Sequence, residues 1–484
     1  MSSSLKQQTI SGMLWSAIQR FGTMIISFVS NIVLARLLSP NDYGCIGLLS
    51  IFIVLAETFV NGGFGAALIQ KKEPTKEDYS TVFYWNIIVS VLLYVLLFFV
   101  APFVAQFYKI PLLTSILRVQ GIILLIHALS IVQLNILRKQ FKFKKLSVIQ
   151  IVASIISVVI AIILAYEGFG VWTLVVQQLL MAFIVTVILW LTTVWKPTLC
   201  FSIKSFKELF GYGAFLLLSD LLNALCNNLQ GLIIGRKYSA VDMGFYSQAR
   251  KLETIPTNSI SQIVNLVAFP VYSKLQDNKE QLYLAIRKSS KMMNFLNFPL
   301  MMLLIVIAEP LIVFLYSDKW IESIPYFQIL CISGLVNCIQ SINYQVVCAI
   351  GKSKLIFKWN IFKRVVGIIS ILIGMHFGVK GVLWGMVFGF YFTTMINILV
   401  ASSITGYSLL KQLRDIIPIL AIAIVSALIT FSLGLLLHMN YIIVMFAMIV
   451  IYLVSYIMFA KLIKSEELNE YVKIVLSYVK IDRL

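Results

Sequence analysis

LARLLSPNDYG at residues 34–44 and IIGRKYSAVDMG at residues 233–244 are two versions of one stretch of sequence. Four residue types recur in them at a constant offset of 200 positions, as Arg36 and Arg236, Ser39 and Ser239, Asp42 and Asp242, and Gly44 and Gly244. One supersecondary unit that is used twice is the economical explanation. The repeat therefore predicts a chain built from two related halves.

A second correspondence extends the repeat. Asn86 is followed by APFVAQFY at 101–108, and Asn294 is followed by EPLIVFLY at 309–316. Each half has six apolar spans, an even number, so both halves enter the membrane in the same direction and form parallel repeats. Transporters often bind their substrate where such repeats meet.

The composition places these halves in a membrane. Hydrophobic residues make up 60% of the 484 residues and are grouped in stretches of about 20, the length that crosses a hydrocarbon core. We predict an all-α, polytopic membrane protein of about 14 transmembrane helices, arranged as two pseudo-symmetric six-helix lobes plus two extra C-terminal helices. The expected domains are an N-lobe at 1–195, a cytoplasmic interlobe linker helix at 196–208, a C-lobe at 209–403, and spans 13 and 14 with a cytoplasmic amphipathic tail at 404–484.

Basic residues are unevenly distributed between the two membrane surfaces. If the N-terminus is cytoplasmic, most of the 39 Lys and Arg residues fall on the inner side, for example Lys71, Lys72 and Lys76 after the second span. This positive-inside pattern and the even span count predict that both termini are cytoplasmic. Attraction to anionic membrane lipids explains the net charge of +19, and no nucleic-acid partner is expected.

Cysteine, histidine and carboxylate usage argues against a metal site and against an enzyme. The six cysteines form no Cys-x-x-Cys pair, and His127, His376 and His438 are dispersed. A membrane-embedded glycosyltransferase or polymerase would need paired carboxylates, yet no Asp-x-Asp occurs and the outer loops are short. We expect no enzyme activity, metal or cofactor, while coupling to H⁺ or Na⁺ stays open.

Three segments carry a resemblance to a known family: residues 12–44, NGGFGAALIQKKEPTKEDYSTVFYWN at 61–86, and EGFGVWTLV at 167–175. They resemble the polysaccharide exporters of the Wzx type, within the multidrug/oligosaccharidyl-lipid/polysaccharide superfamily. The subgroup that looks most similar contains the colanic acid and teichuronic acid exporters. The likeness covers essentially the whole chain, but these are packing motifs, specific for family rather than for substrate.

The resemblance implies a function. It implies a two-lobed bundle that flips undecaprenyl-pyrophosphate-linked oligosaccharide across the bacterial cytoplasmic (inner) membrane by alternating access. A polysaccharide polymerase and export machinery are candidate partners. A peptidoglycan-precursor flippase and a cation-coupled multidrug exporter are the alternatives. A multidrug exporter of the related branch would be expected to carry an acidic cation site in span 1, where this chain has Arg20.

Charged residues inside spans are costly, so each is a candidate for the transport pathway. The offset of 200 takes Arg20 in span 1 to Asp220 in span 7. We hypothesise that they form an interlobe pair in one conformation, and that Arg20, once released, binds the pyrophosphate bidentately. Two unrelated structural charges, with Arg20 snorkelling to the inner surface, are the alternative.

Other polar residues in spans complete the candidate list. Arg250 and Lys251 in span 8 could receive phosphate or acidic sugars, or anchor that helix at the headgroups. Asn31 and Asn227 are expected in the central cavity with them. Glu57 in span 2 is a candidate coupling site, or a hydrogen-bonded structural carboxyl group.

Two further features of the chain have simpler interpretations. The glycines that follow Glu57, at 62, 63 and 65, favour a bend or close packing over a substrate loop. Arg36 and Arg236 are expected to cap outer helix ends rather than to contact substrate.

Overall fold

A computed structural model of the protein describes residues 3–351, 353–436 and 440–481. The predicted end of span 13, His438 and residues 482–484 of the tail lie outside these residues. Within the described ranges all regular structure is helical and no strand occurs, so the all-α class is confirmed.

The helices follow one another with short connections. In chain order they are α1 (Ser3–Leu37), α2 (Pro40–Asn61), α3 (Phe64–Gln70), α4 (Lys76–Tyr108), α5 (Leu112–Gln120), α6 (Ile122–Lys139), α7 (Phe143–Tyr166), α8 (Val171–Thr192), α9 (Ile203–Lys237), α10 (Ala240–Leu275), α11 (Lys279–Val306), α12 (Ala308–Tyr316), α13 (Ile324–Leu335), α14 (Asn337–Ala349), α15 (Ser353–Gly374), α16 (Gly378–Thr405), α17 (Leu409–Gly434), α18 (Tyr441–Leu462) and α19 (Glu466–Ile481). Two 3-10 helices, Asp318–Ser323 and Met375–Phe377, precede α13 and α16.

The number of membrane spans is lower than the sequence predicts. Among the described residues, eleven helical segments are long and apolar enough to cross a membrane, or twelve if the α9 segments, bent by 55°, form one span. A count of fourteen is therefore not confirmed. One reason is that the predicted spans 356–376 and 381–403 fall in a single segment, Lys358–Thr405. The other is that α10, predicted as span 8, is not among the candidates.

The chain forms two compact units, unit 1 at Met1–Gly244 and unit 2 at Phe245–Leu484. This boundary falls inside α10, so α9, which the repeat pairs with α1, belongs to the same unit as α1. The sequence repeat and the contacts thus divide the chain at different places.

The helix boundaries reproduce the sequence repeat. α1 and α9 are both 35 residues long, and their boundaries differ by the same 200 positions as the motif. Ser39 caps α2 by accepting a hydrogen bond from the Asp42 N–H, and the Asp42 carboxylate accepts one from the Ser39 N–H at 2.9 Å. In the second copy the Ser239 hydroxyl accepts from the Asp242 N–H at 3.0 Å. The reciprocal use of Ser and Asp satisfies N–H groups that a helix start leaves without partners, which explains why both types recur.

Glycines allow close helix contacts in unit 1. The antiparallel helices α2 and α9 pack where Gly235 faces Leu48, and again where Gly63 faces Gly213. Gly62 and Gly63 have φ of 54° and 69°, which ends α2 at Asn61 before α3 begins. A Cβ on Gly63 would lie 2.4 Å from the Gly213 carbonyl oxygen, so these glycines interrupt the helix and pack closely against a neighbouring helix.

Unit 2 contains a hairpin and an aromatic core. α15 and α16 run antiparallel in close contact, and a Cβ on Gly385 would lie 2.4 Å from the Ser370 carbonyl oxygen. α11 packs on α17, and Phe298 and Tyr452 are buried in the core that they share with α18. The C-terminal helix α19 forms as predicted, and its Tyr471 hydroxyl donates to the Met292 carbonyl oxygen at 3.0 Å.

Candidate functional site

Arg20 and Asp220 occupy equivalent positions of α1 and α9, and both side chains are exposed. Among the described residues no ion pair joins them. Both charged side chains are therefore accessible within unit 1. Their pairing in another conformation stays a prediction.

The two predicted asparagine ligands have different environments. Asn31, in the outer part of α1, is buried, with 3% of its surface exposed. The neighbouring Ser30 hydroxyl accepts a hydrogen bond from Gln177 of α8 at 2.9 Å. Asn227 in α9 is exposed. Only Asn227 is accessible to a ligand in this conformation.

Glu57 has a partner that sequence reasoning did not identify. His127 Nδ1 in α6 lies 3.2 Å from Glu57 Oε1 in α2. The His127 side chain is 40% exposed and that of Glu57 is 27% exposed. His127 lies within a predicted span, where an ionisable side chain signals function. The position of His127 inside a predicted span was therefore the available signal, although dispersed histidines argue only against a metal site.

Arg250 in unit 2 is held by a buried carboxylate. Its guanidinium donates to Glu253 Oε2 at 2.9 Å, and Glu253 Oε1 accepts from the Thr257 hydroxyl at 2.7 Å. Glu253 is 1% exposed, whereas the Arg250 side chain is 41% exposed and Lys251 is also exposed. The pair keeps the buried carboxylate compensated and leaves part of the Arg250 guanidinium accessible.

Arg36 and Arg236 lie in the last turns of α1 and α9, where a cation interacts favourably with the helix dipole. The Arg236 guanidinium also lies 5.0 Å from the centre of the Phe107 ring, a cation–π contact. These positions agree with the predicted capping role.

A polar cluster joins the loop after α3 to the starts of α4 and α9. The Lys71 ammonium donates to Asp78 at 3.1 Å and to Glu208 at 3.0 Å. Burial lowers the pKa of Lys71, but these two hydrogen bonds outweigh it and hold that pKa above its usual value. One of the basic residues predicted on the inner side is thus neutralised locally.

A second polar network, in unit 2, was missed by sequence reasoning. Arg287 of α11 donates two hydrogen bonds of 2.7 Å to the Asp415 carboxylate of α17, which also accepts from the Tyr407 hydroxyl at 2.9 Å. The Asp415 side chain is 10% exposed. Arg287 lies in the polar interval 274–291, which the sequence predicts as a loop. The available signal was Asp415, a single aspartate just before a predicted span.

The C-terminal helix α19 also binds α11 through its carboxylates. Lys291 lies 2.8 Å from both Glu466 and Glu467, and Lys288 lies 2.8 Å from Glu470. Burial raises the pKa of Glu467, but hydrogen bonds from Lys291 and Ser465 outweigh this and hold the pKa below its usual value. Within the described residues, no group of His, Cys, Asp and Glu has the arrangement of a metal site.

Sequence comparison identifies the family. Residues 33–325 match the family model described as "Polysaccharide biosynthesis protein". The chain belongs to this family. The teichuronic acid biosynthesis protein TuaB of Bacillus subtilis is 30% identical over 359 residues, which cover 74% of each chain. The lipopolysaccharide biosynthesis protein WzxC of Escherichia coli is 25% identical, over 81% of this chain and 80% of that protein. The predicted resemblance is confirmed.

Solved structures share the fold. A lipid II flippase, MurJ, in an inward closed conformation matches with a TM-score of 0.77, over 93% of this chain and 98% of that one, at 16% identity. An inward-facing multidrug transporter of the MATE family, in the MOP superfamily, matches with a TM-score of 0.61 over 82% of this chain and 98% of that one, at 17% identity. At such identities the likeness concerns the fold alone, which is that of a multi-pass membrane transporter.

Proposed function

We propose that the protein flips undecaprenyl-pyrophosphate-linked oligosaccharide units from the inner to the outer leaflet of the bacterial inner membrane, by alternating access, for surface polysaccharide export. The main support is family membership together with relatives named for teichuronic acid, lipopolysaccharide and succinoglycan biosynthesis, the last called a transport protein. The protein acts as a transporter rather than as an enzyme. A polysaccharide polymerase and the export machinery are its expected partners.

Accessible cations support an anionic substrate. Arg20 is exposed in unit 1, and in unit 2 Lys251 is exposed and the Arg250 side chain is partly exposed. A guanidinium binds diphosphate oxygens with two parallel hydrogen bonds and keeps its charge in a membrane. Asn227 supplies a neutral polar contact for the sugars, Asn31 supplies one only in a conformation that exposes it, and an H⁺ or Na⁺ gradient provides the driving force.

A peptidoglycan-precursor flippase is the second candidate, because a lipid II flippase shares the fold. Deletion strains separate the two functions. Loss of surface polysaccharide with accumulation of its lipid-linked precursor, and normal lipid II turnover, is the expected result. Accumulation of lipid II would instead favour the second candidate.

Reconstitution tests transport directly. Proteoliposomes that contain a defined polyprenyl-diphosphate oligosaccharide should move it between leaflets, measured by access of an external sugar-modifying enzyme. Arg20→Ala and Asp220→Arg should each reduce the rate, and Arg20→Asp combined with Asp220→Arg should restore it if the two charges pair. Arg118→Ala is the matched control, since Arg118 lies 4.1 Å from the Phe98 ring centre and donates to the Phe98 carbonyl oxygen. No movement by the wild-type protein under any gradient would refute the function.

A further inference from the structure

We propose that Glu57 and His127 form a proton-binding site inside unit 1, and that its occupancy controls the bend between α2 and α3 at Gly62 and Gly63. The inference deepens the proposed function, because it names the coupling ion and the residues that bind it. It rests on the contact between two ionisable side chains on neighbouring membrane helices.

The chemistry of the pair favours a proton over Na⁺. Hard cations such as Na⁺ are bound by several oxygen ligands, whereas this pair supplies one carboxylate and one imidazole nitrogen at 3.2 Å. Histidine is the side chain that changes charge near neutral pH. Binding of one proton converts a carboxylate beside a neutral imidazole into a carboxylate–imidazolium pair, so the net charge rises from −1 to 0.

In a membrane, loss of the proton from this pair costs free energy. A lone carboxylate in a span is expensive, and an imidazolium 3.2 Å away compensates it. Both side chains are partly exposed, so a proton can reach them. The pair is therefore neutral when protonated and charged when empty, and only the first state is well suited to a closed, dry conformation.

Contacts along α6 connect the pair to the bend. α6 runs parallel to α2 and α3 and contacts them at three levels. Above the glycine break the contact is Glu57 with His127. Below it, a Cβ on Gly65 would lie 2.7 Å from Asn135 Nδ2, and the Lys139 ammonium donates to the Leu68 carbonyl oxygen at 3.0 Å.

The consequence of proton loss is local. The two lower contacts hold α3 on α6 and do not depend on the state of the pair. Release of the proton weakens only the upper contact, so α2 is held less firmly to α6 above the break, while the contacts of α3 are unchanged. The left-handed glycines at the break allow the two segments to change their angle.

The helices packed on α2 and α6 carry other titratable groups. The contacts Gly235–Leu48 and Gly63–Gly213 set the antiparallel register of α9 on α2, and this register brings Asp220 to the level of Glu57. Groups on the neighbouring helices include Arg118 of α5, Tyr84 and Tyr94 of α4, and Cys226 of α9, and α7 carries Lys144, Lys145 and Tyr166 near its ends.

Titration of the full-length protein tests the site without a substrate. The chain has three histidines, so histidine-selective ¹⁵N labelling resolves them, and His127→Gln assigns the His127 signal. The pH dependence of the His127 signal should depend on Glu57, so Glu57→Gln should change it, because the carboxylate that compensates the imidazolium is removed. The exposed His376 should titrate unchanged. An unaltered His127 titration in Glu57→Gln would overturn the proposal.

A distance measurement tests the bend. Phe59 and Ile69 are exposed on either side of the break, ten residues apart or about 15 Å along a helix. Spin labels attached there through ketone-bearing residues should report a distance that changes between about pH 6 and about pH 8. The change should be absent in His127→Gln and present in the control His376→Gln. A distance that ignores pH in the wild-type protein would contradict the proposal.

Transport then separates this inference from the proposed function. In proteoliposomes with the polyprenyl-diphosphate oligosaccharide, a proton gradient should increase the transport rate of the wild-type protein. In Glu57→Gln and in His127→Gln this increase should be about tenfold smaller. Glu57→His combined with His127→Glu should recover it. Transport by the wild-type protein that responds to Na⁺ alone would refute the inference and leave the function intact. Absence of transport, with the titration and the distance change as expected, would refute only the function.

Discussion

Gly44 and Gly244, the last residues of the repeated motif, explain why it contains glycine at all. A Cβ on Gly44 would lie 1.7 Å from the Ala240 carbonyl oxygen, and a Cβ on Gly244 would lie 1.9 Å from the Pro40 carbonyl oxygen. The two contacts are reciprocal, since each glycine meets the first residue of the other copy's helix. The starts of α2 and α10 therefore cross at backbone distance, which only residues without a side chain permit.

Substitution of these glycines should destabilise the protein. Gly44→Ala or Gly244→Ala places a methyl group against a backbone oxygen that has no rotamer to adopt, at a cost of about 1–3 kcal/mol. Thermal unfolding in detergent measures it as a lower Tm. Gly211→Ala is the matched control, because Gly211 lies in α9 with nothing within 4 Å of its Cβ position, so the Tm should stay or rise. Equal effects of the two kinds of substitution would contradict the crossing.

Helix α11 is held to its neighbours in unit 2 by charge as well as by apolar packing. Its Arg287 forms a bidentate pair with Asp415 of α17, while its Lys288 forms a pair with Glu470 of α19. The first pair is largely enclosed on the Asp415 side, whereas Lys288 is 63% exposed. The energetic weight of a pair follows its enclosure, so the two should differ.

Asp415→Asn should destabilise unit 2 by about 1–3 kcal/mol, because Arg287 and Tyr407 lose their charged acceptor. This loss of stability is smaller than that expected for a fully buried ion pair, because the Arg287 side chain is 43% exposed. Lys288→Ala, at the next position of α11, should leave stability unchanged. Denaturation of both variants in one detergent tests the difference, and a larger effect of Lys288→Ala would show that exposure does not govern these pairs.

The orientation of the whole molecule is predicted by its loop charges. Lys71, Lys72 and Lys76 follow α3, and basic residues at 138–145 follow α6, so the same surface receives positive charge from successive hairpins. Both termini should lie on that surface, in the cytoplasm.

Tag accessibility measures this topology. Reporter fusions at Met1 and Leu484 should both be active on the cytoplasmic side, and a reporter inserted at Glu167, between α7 and α8, should be active outside. Removal of the basic residues at 138–145 should weaken the preference. Termini on opposite faces would refute the even number of spans and with it the parallel repeat.

Sequence patterns alone predict the helical membrane class, the repeat and the family of this protein correctly. These properties are local, because the length of an apolar stretch, the charge of a loop and the offset of a motif do not depend on packing. The number of spans is harder to predict from sequence. Two apolar stretches can fall in one continuous segment, as at Lys358–Thr405, and a helix with many charged residues, such as α10, is not apolar enough to count as a span.

Which charges meet is determined by the tertiary structure. Arg287 and Asp415 are 128 positions apart, and His127 reaches Glu57 only because α6 runs beside α2. The boundary between the two compact units, inside α10, also follows from packing. Helix α9 belongs to the second sequence repeat but packs on α2 of the first. Side-chain contacts depend on how helices rotate and cross about one another, and a one-dimensional pattern of apolar residues contains too little information to specify that rotation.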